Sequence, residues 1–146
     1  LKVVVNLGQR KGSLFAPISG GAFLLGFNGL YGLALDAMGV TPPDIAALLR
    51  GLLPRFMLFA WAAVMAPVVE EMYFRGRLLD AFGSRLGAGW AALISSLAFA
   101  AIHGIPAFFP AYLVFAFVLI ALRRRTGGLT APIIAHVINN AFALLN

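Results

Sequence analysis

Long apolar stretches, each broken by a short polar or glycine-proline segment, set the pattern of this chain. Crossing a bilayer as a helix takes about 20 apolar residues. Stretches at roughly 14–38, 53–74, 88–103, 107–122 and 129–146 read as spans. The first is rich in glycine (Gly20, Gly21, Gly26, Gly29 and Gly32), which suits close helix packing. Gly104 and Pro106 separate the third from the fourth. Residues 76–86 are amphipathic instead: Leu78, Leu79, Phe82 and Leu86 recur at helical spacing, with Arg77, Asp80 and Arg85 between them. That pattern predicts an interfacial helix or a helical extension of the second span. The expected architecture is an all-α, polytopic transmembrane helix bundle of about five spans. It forms one membrane domain over residues 1–146, with no visible repeat or linker.

Composition sharpens this picture. Of 146 residues, 62% are hydrophobic and 11% charged, where a soluble domain carries about 25% charged residues. Mean hydropathy is +0.95. Such a chain lacks the polar surface to cover a soluble globule, so an integral, multi-pass membrane protein is expected. The absence of cysteine excludes a disulfide framework, a thiolate metal site and a thiol nucleophile. No cleavage site follows a short apolar run, so no signal peptide is expected. The chain starts at Leu1 rather than Met and is read as a fragment or trimmed form.

The net charge of +6 reads as a topology signal toward anionic lipid, with no nucleic-acid partner. Lys2, Arg10 and Lys11 precede the first span. Arg75, Arg77 and Arg85 lie between the second and third, and Arg123, Arg124 and Arg125 between the fourth and fifth. Only Arg50 and Arg55 fall on the other side. The positive-inside rule then puts the N-terminus in the cytosol. Trp90 reads as an interface anchor, Trp61 as core or lipid-facing, Phe108 and Phe109 as lipid-facing, and Ser95 and Ser96 as packing serines.

Ionisable groups inside apolar spans cost at least about 2.5 kcal/mol each and mark function by default. Here they are Glu70, Glu71, Arg75, His103 and His136, with Asn140 as an added amide. Glu71 and Arg75 stand four apart, share a helix face and can pair. Glu70, about 100° around the helix, has no basic partner at i+4 and is the freer carboxylate. That suits a general base. His136 and Asn140 are also four apart, and Phe99 can wall in His103. The second amide, Asn139, is the alternative to Asn140. No HExxH, GxSxG or phosphate loop is present.

The run Glu70-Glu71-Met72-Tyr73-Phe74-Arg75 resembles the EExxxR motif of the CPBP intramembrane proteases, which include the CAAX-processing (Rce1-like), bacteriocin-processing and abortive-infection proteins. Phe99 to His103 resembles their FxxxH motif, and His136 to Asn140 their HxxxN. The lead-in from Thr126 to Pro132 is similar too. The resemblance covers roughly residues 53–146, a catalytic core, and implies a short family member or the core of one. It implies an intramembrane endopeptidase acting on a membrane-associated peptide or a prenylated protein tail. Glu70 would activate a water, His103 and His136 would support it, and Asn140 would stabilise the oxyanion. Glu71 and Arg75 would support the site. The family has been read both with and without metal. In the metal reading, His103, His136 and Glu70 would bind zinc; in the other, no cofactor is needed. Oligomeric state is left open. The alternative class is a catalytically silent immunity or scaffold protein of the same fold that binds a partner peptide. A transporter ranks below both, since no repeat is visible.

Depth provides a test of this set. Glu70 lies about 7 Å and His136 about 10 Å inside the same face, counting 1.5 Å per residue. Hydropathy alone puts His103 at the far end of its span. A hairpin turning near Gly83–Gly89 would bring Glu70 and His103 level, at the cost of helices protruding into the cytosol and a conflict over the fourth span.

Overall fold

A computed structural model of the chain describes residues 15–43, 45–52 and 54–145. The start of the first span, with Lys2, Arg10 and Lys11, lies outside the described residues. The elements are α1 (Phe15–Ala37), a short α2 (Ile45–Leu52), a long α3 (Arg55–Leu86), α4 (Ala88–Ile102), α5 (Phe109–Thr126) and α6 (Thr130–Leu145). A single 3₁₀ turn, Pro106–Phe108, leads into α5. The described residues contain no strand. The protein is an all-α membrane bundle. Three helices are long and apolar enough to cross a membrane: α1, α3 and α5 with its 3₁₀ lead-in. The third and fifth expected spans are shorter apolar helices of 15 and 16 residues. At 1.5 Å per residue these measure about 22–24 Å, less than a full hydrocarbon core.

Residues 76–86 extend the second span without a break, as the second of the two readings expected. The 32-residue α3 is not uniform. It widens to π geometry over Phe59–Met65 and again over Glu71–Leu78. Pro67 follows the first widened stretch. A proline inside a helix lacks an N–H and its ring crowds the carbonyl four residues back, and a π widening relieves that crowding. Gly87 then reverses the chain at φ +83, a backbone region open chiefly to glycine. The α3–α4 hairpin therefore turns where the depth argument required. Ser95 in α4 donates a hydrogen bond to the Phe74 carbonyl at 2.9 Å and locks the hairpin's register.

α5 runs back along α4 and resolves the conflict over the fourth span. Its Arg123 makes two bonds to Asp80 at 2.7 and 2.8 Å. Arg124 donates to the Ala88 carbonyl at 2.6 Å. The arginine run therefore stays at the hairpin end while α5 packs in the bundle. Gly127, at φ +76, ends α5 by donating to the Arg123 carbonyl at 2.8 Å, a left-handed cap that only glycine makes without strain. α6 then starts against α3: a Cβ on Gly76 would lie 3.5 Å from Leu129.

The core gathers Leu24, Phe74, Phe99, Phe115, Leu119 and Leu122 from four helices. The outward face is apolar. Trp61 and Trp90 are 62% and 61% exposed, which puts Trp61 at the lipid rather than in the core. α1 seats through two of its glycines only. A Cβ at Gly20 would stand 2.7 Å from Leu122 and one at Gly21 would stand 3.2 Å from Ile138, but nothing lies within 4 Å of Gly26, Gly29 or Gly32. The packing role expected of all five is thus confined to Gly20 and Gly21. Gly20→Val is expected to cost about 1–3 kcal/mol by overpacking. Gly29→Ala is expected to be neutral or stabilising, since alanine is the better helix former. Thermal unfolding of the two variants in detergent checks this, and equal melting temperatures would contradict the close approach at Gly20.

Candidate active site

The site forms where the second π stretch of α3 meets α4, α5 and α6. Glu71 and Arg75 pair as their spacing predicts, Arg75 Nη1 donating to Glu71 Oε1 at 2.9 Å, and neither side chain has any exposed surface. His136 of α6 brings its Nδ1 to the same carboxylate oxygen at 2.9 Å. The Arg75 guanidinium also lies over the Phe99 ring, 4.3 Å from its centre, a favourable placement for a cation. Glu71 is thus committed to two partners, and it ties α3 to α6.

Glu70 is placed differently. Its side chain keeps 24% exposure and its Oε2 faces His136 Nε2 at 3.8 Å, too long for a direct hydrogen bond. Oε2 of Glu70 is buried and has no protein partner, as is also true of Glu71 Oε2 and of Arg75 Nε and Nη2. Buried polar atoms cost free energy unless bonded, so this cluster calls for polar groups from outside the protein.

Both imidazoles are held in one tautomer by their neighbours. His103 Nδ1 lies 2.8 Å from the Phe99 carbonyl oxygen, and His136 Nδ1 lies against the Glu71 carboxylate. A carbonyl and an ionised carboxylate only accept, so each ring carries its proton on Nδ1. Each then presents the Nε2 lone pair, the arrangement by which an outer partner orients a histidine. His103 is sandwiched between Phe99 and Tyr112, with ring centres 4.6 and 4.2 Å away.

His103 and His136 line one cavity of about 460 Å³, together with Asn139 and Asn140. The hairpin at Gly87 is what carries His103 to this depth. Asn140 donates its amide to the Ala62 carbonyl at 3.0 Å. Asn139 bonds Asn140 Oδ1 at 3.4 Å and accepts from Asn28 of α1 at 2.8 Å. The structure therefore brings Glu70, Glu71, Arg75, His103, His136 and Asn140 into one region. Among the described residues, no group of three His, Asp or Glu side chains is arranged to hold a metal ion. The expected zinc set, His103, His136 and Glu70, is not drawn together as such a group.

Several site residues escaped the sequence reading. Asn28 and Tyr112 are polar groups inside apolar spans, a signal that was present but is weaker than a charge. Phe108, expected to face lipid, instead lines the cavity and packs on Tyr31 and Tyr112, with ring centres 6.4 and 6.1 Å away. The 3₁₀ turn folds it inward, and the Tyr31 hydroxyl fastens that turn by donating to the Ala107 carbonyl at 2.6 Å.

The helical membrane bundle thus sets a carboxylate–histidine–amide cluster beside one cavity. Residues 52–142 match the family described as type II CAAX prenyl endopeptidase Rce1-like, and the chain belongs to that family of membrane proteases. A protein of Bacillus subtilis (strain 168) named "Putative membrane peptidase YdiL" is 29% identical over 84 residues, 58% of this chain and 34% of the relative. The chain thus spans about a third of the length of that curated relative. No solved structure matches the chain.

Proposed function

We propose that the chain is an intramembrane endopeptidase that hydrolyses a peptide bond of a membrane-associated peptide or prenylated protein tail. The observation that carries this reading is the freestanding Glu70 carboxylate facing His136 Nε2 at 3.8 Å, beside the cavity that holds His103 and Asn140. Glu70 takes a proton from a water as its oxygen attacks the scissile carbonyl. The Nε2 lone pair of His136 orients that water by accepting its other hydrogen, and that of His103 lies in the same cavity to take a hydrogen from the substrate side. The carbonyl π pair moves onto oxygen, and the second N–H of the Asn140 amide stabilises the oxyanion. When the C–N bond breaks, Glu70 returns the proton to the leaving amine. Glu71 and Arg75 hold His136 and do not touch the reacting atoms. No step passes through zinc. The Arg123–Arg125 end faces the cytosol in this reading, together with the N-terminus.

The test is cleavage of a fluorogenic library of membrane-anchored peptides by the reconstituted protein, with and without chelator. Cleavage that survives chelation is expected. Cleavage lost to chelator and restored by zinc would contradict the metal-free route. Peptide binding without cleavage would instead support the silent immunity or scaffold alternative.

A further inference from the structure

The geometry points to Pro67 as a positioning residue for the Asn140 amide, an inference that rests on the peptidase reading for its consequence in catalysis. In a helix, the Ala62 carbonyl would accept from the N–H of residue 66 in α register or of residue 67 in π register. Neither serves it here. The Ala66 N–H bonds the Trp61 carbonyl, because Phe59–Met65 is π-helical. Residue 67 is proline and has no N–H to give. The Ala62 oxygen is left as an acceptor inside the bundle, and Asn140 Nδ2 donates to it at 3.0 Å.

That one acceptor fixes the direction of a chain of amides. A carbonyl oxygen only accepts, so Asn140 must turn its NH₂ toward Ala62 and its Oδ1 away. Asn139 must then donate to that Oδ1, which it does at 3.4 Å. Its own Oδ1 is thereby free to accept from Asn28 Nδ2 at 2.8 Å. Reversing the first amide would set two acceptors against each other at Ala62 and two donors against each other at Asn139. The proline thus determines, from outside the reacting groups, which atom of Asn140 offers its second N–H to the cavity. Asn28 lies in α1, outside the matched residues 52–142; it lines the same cavity and ends this chain.

Pro67→Ala restores a donor at position 67, which competes for the Ala62 oxygen and releases the Asn140 amide. The expected result is a fall in kcat on the order of tenfold with KM nearly unchanged, because an oxyanion donor acts in the transition state. The melting temperature in detergent should stay near that of wild type, and Pro67→Ser, which also restores the donor, should behave alike. Asn140→Ala is expected to cost about 10²–10³ in kcat. In the Asn140→Ala background, Pro67→Ala should then have almost no further effect, whereas additive losses would overturn the proposal. A second readout needs no activity. The Asn140 side-chain NH₂ resonances, assigned by their loss in Asn140→Ala, should shift and exchange faster in Pro67→Ala. Unmoved resonances would overturn the proposal. If the wild type cleaves nothing, the peptidase reading fails, and the resonances alone decide whether Pro67 orients the amide.

Discussion

Replacing Glu70 with glutamine is expected to lower peptide cleavage by about 10²–10⁴-fold while leaving the fold intact. Both halves of that expectation follow from where Glu70 stands. Its Oε2 has no protein partner and faces His136 Nε2 at 3.8 Å, so it is free to take a proton from water. Glutamine keeps the shape and loses the basicity. It also breaks no buried ion pair, because the Arg75 guanidinium bonds Glu71. The check is kcat for Glu70→Gln beside its melting temperature in detergent. A variant that melts like wild type and still cleaves at a comparable rate would remove Glu70 from the mechanism.

Arg75→Ala should be the most destabilising single change at the site, by about 3–5 kcal/mol. Arg75 and Glu71 are both fully buried. Removing the guanidinium leaves the Glu71 carboxylate in the bundle with only the hydrogen bond from His136, and an unpaired buried charge is costly. It also empties the space over the Phe99 ring. Glu71→Gln should be milder, because glutamine can still accept from both Arg75 and His136. Unfolding in detergent, followed by far-ultraviolet circular dichroism, measures the two side by side. Equal stability of Arg75→Ala and wild type would show that the buried pair does not stabilise the bundle.

The sequence made some of this legible and not the rest, for physical reasons. Apolar run length reports a span directly, so the five apolar helices could be read. The scarcity of ionisable groups in those runs singled out Glu70, Glu71, Arg75, His103 and His136. The i,i+4 spacing of Glu71 and Arg75 predicted their bond. Hydropathy does not report how far a helix extends beyond the membrane. The depth of His103 therefore depended on the turn at Gly87, which the paired distances to Glu70 and His103 suggested. Arg75 was counted both as a topology charge and as the partner of Glu71, and it is fully buried in that pair. A charge near a span end reads the same either way until its burial is seen. Phe108 was misread because an aromatic beside a proline in an apolar run carries no sign of which way the turn folds. The amides of Asn28 and Asn139 depend on contacts between helices far apart in the chain, which periodicity within one helix does not encode. The widening of α3 left one trace in the sequence, Pro67 within a span.

The central claim is that this bundle cuts a peptide bond using Glu70. Its most direct test is mass spectrometry of a membrane-anchored peptide incubated with reconstituted wild type and, in parallel, with Glu70→Gln. New termini from a single hydrolysed bond with the wild type, and an intact peptide with the variant, are the predicted result. The same termini at the same rate from both proteins would contradict the claim.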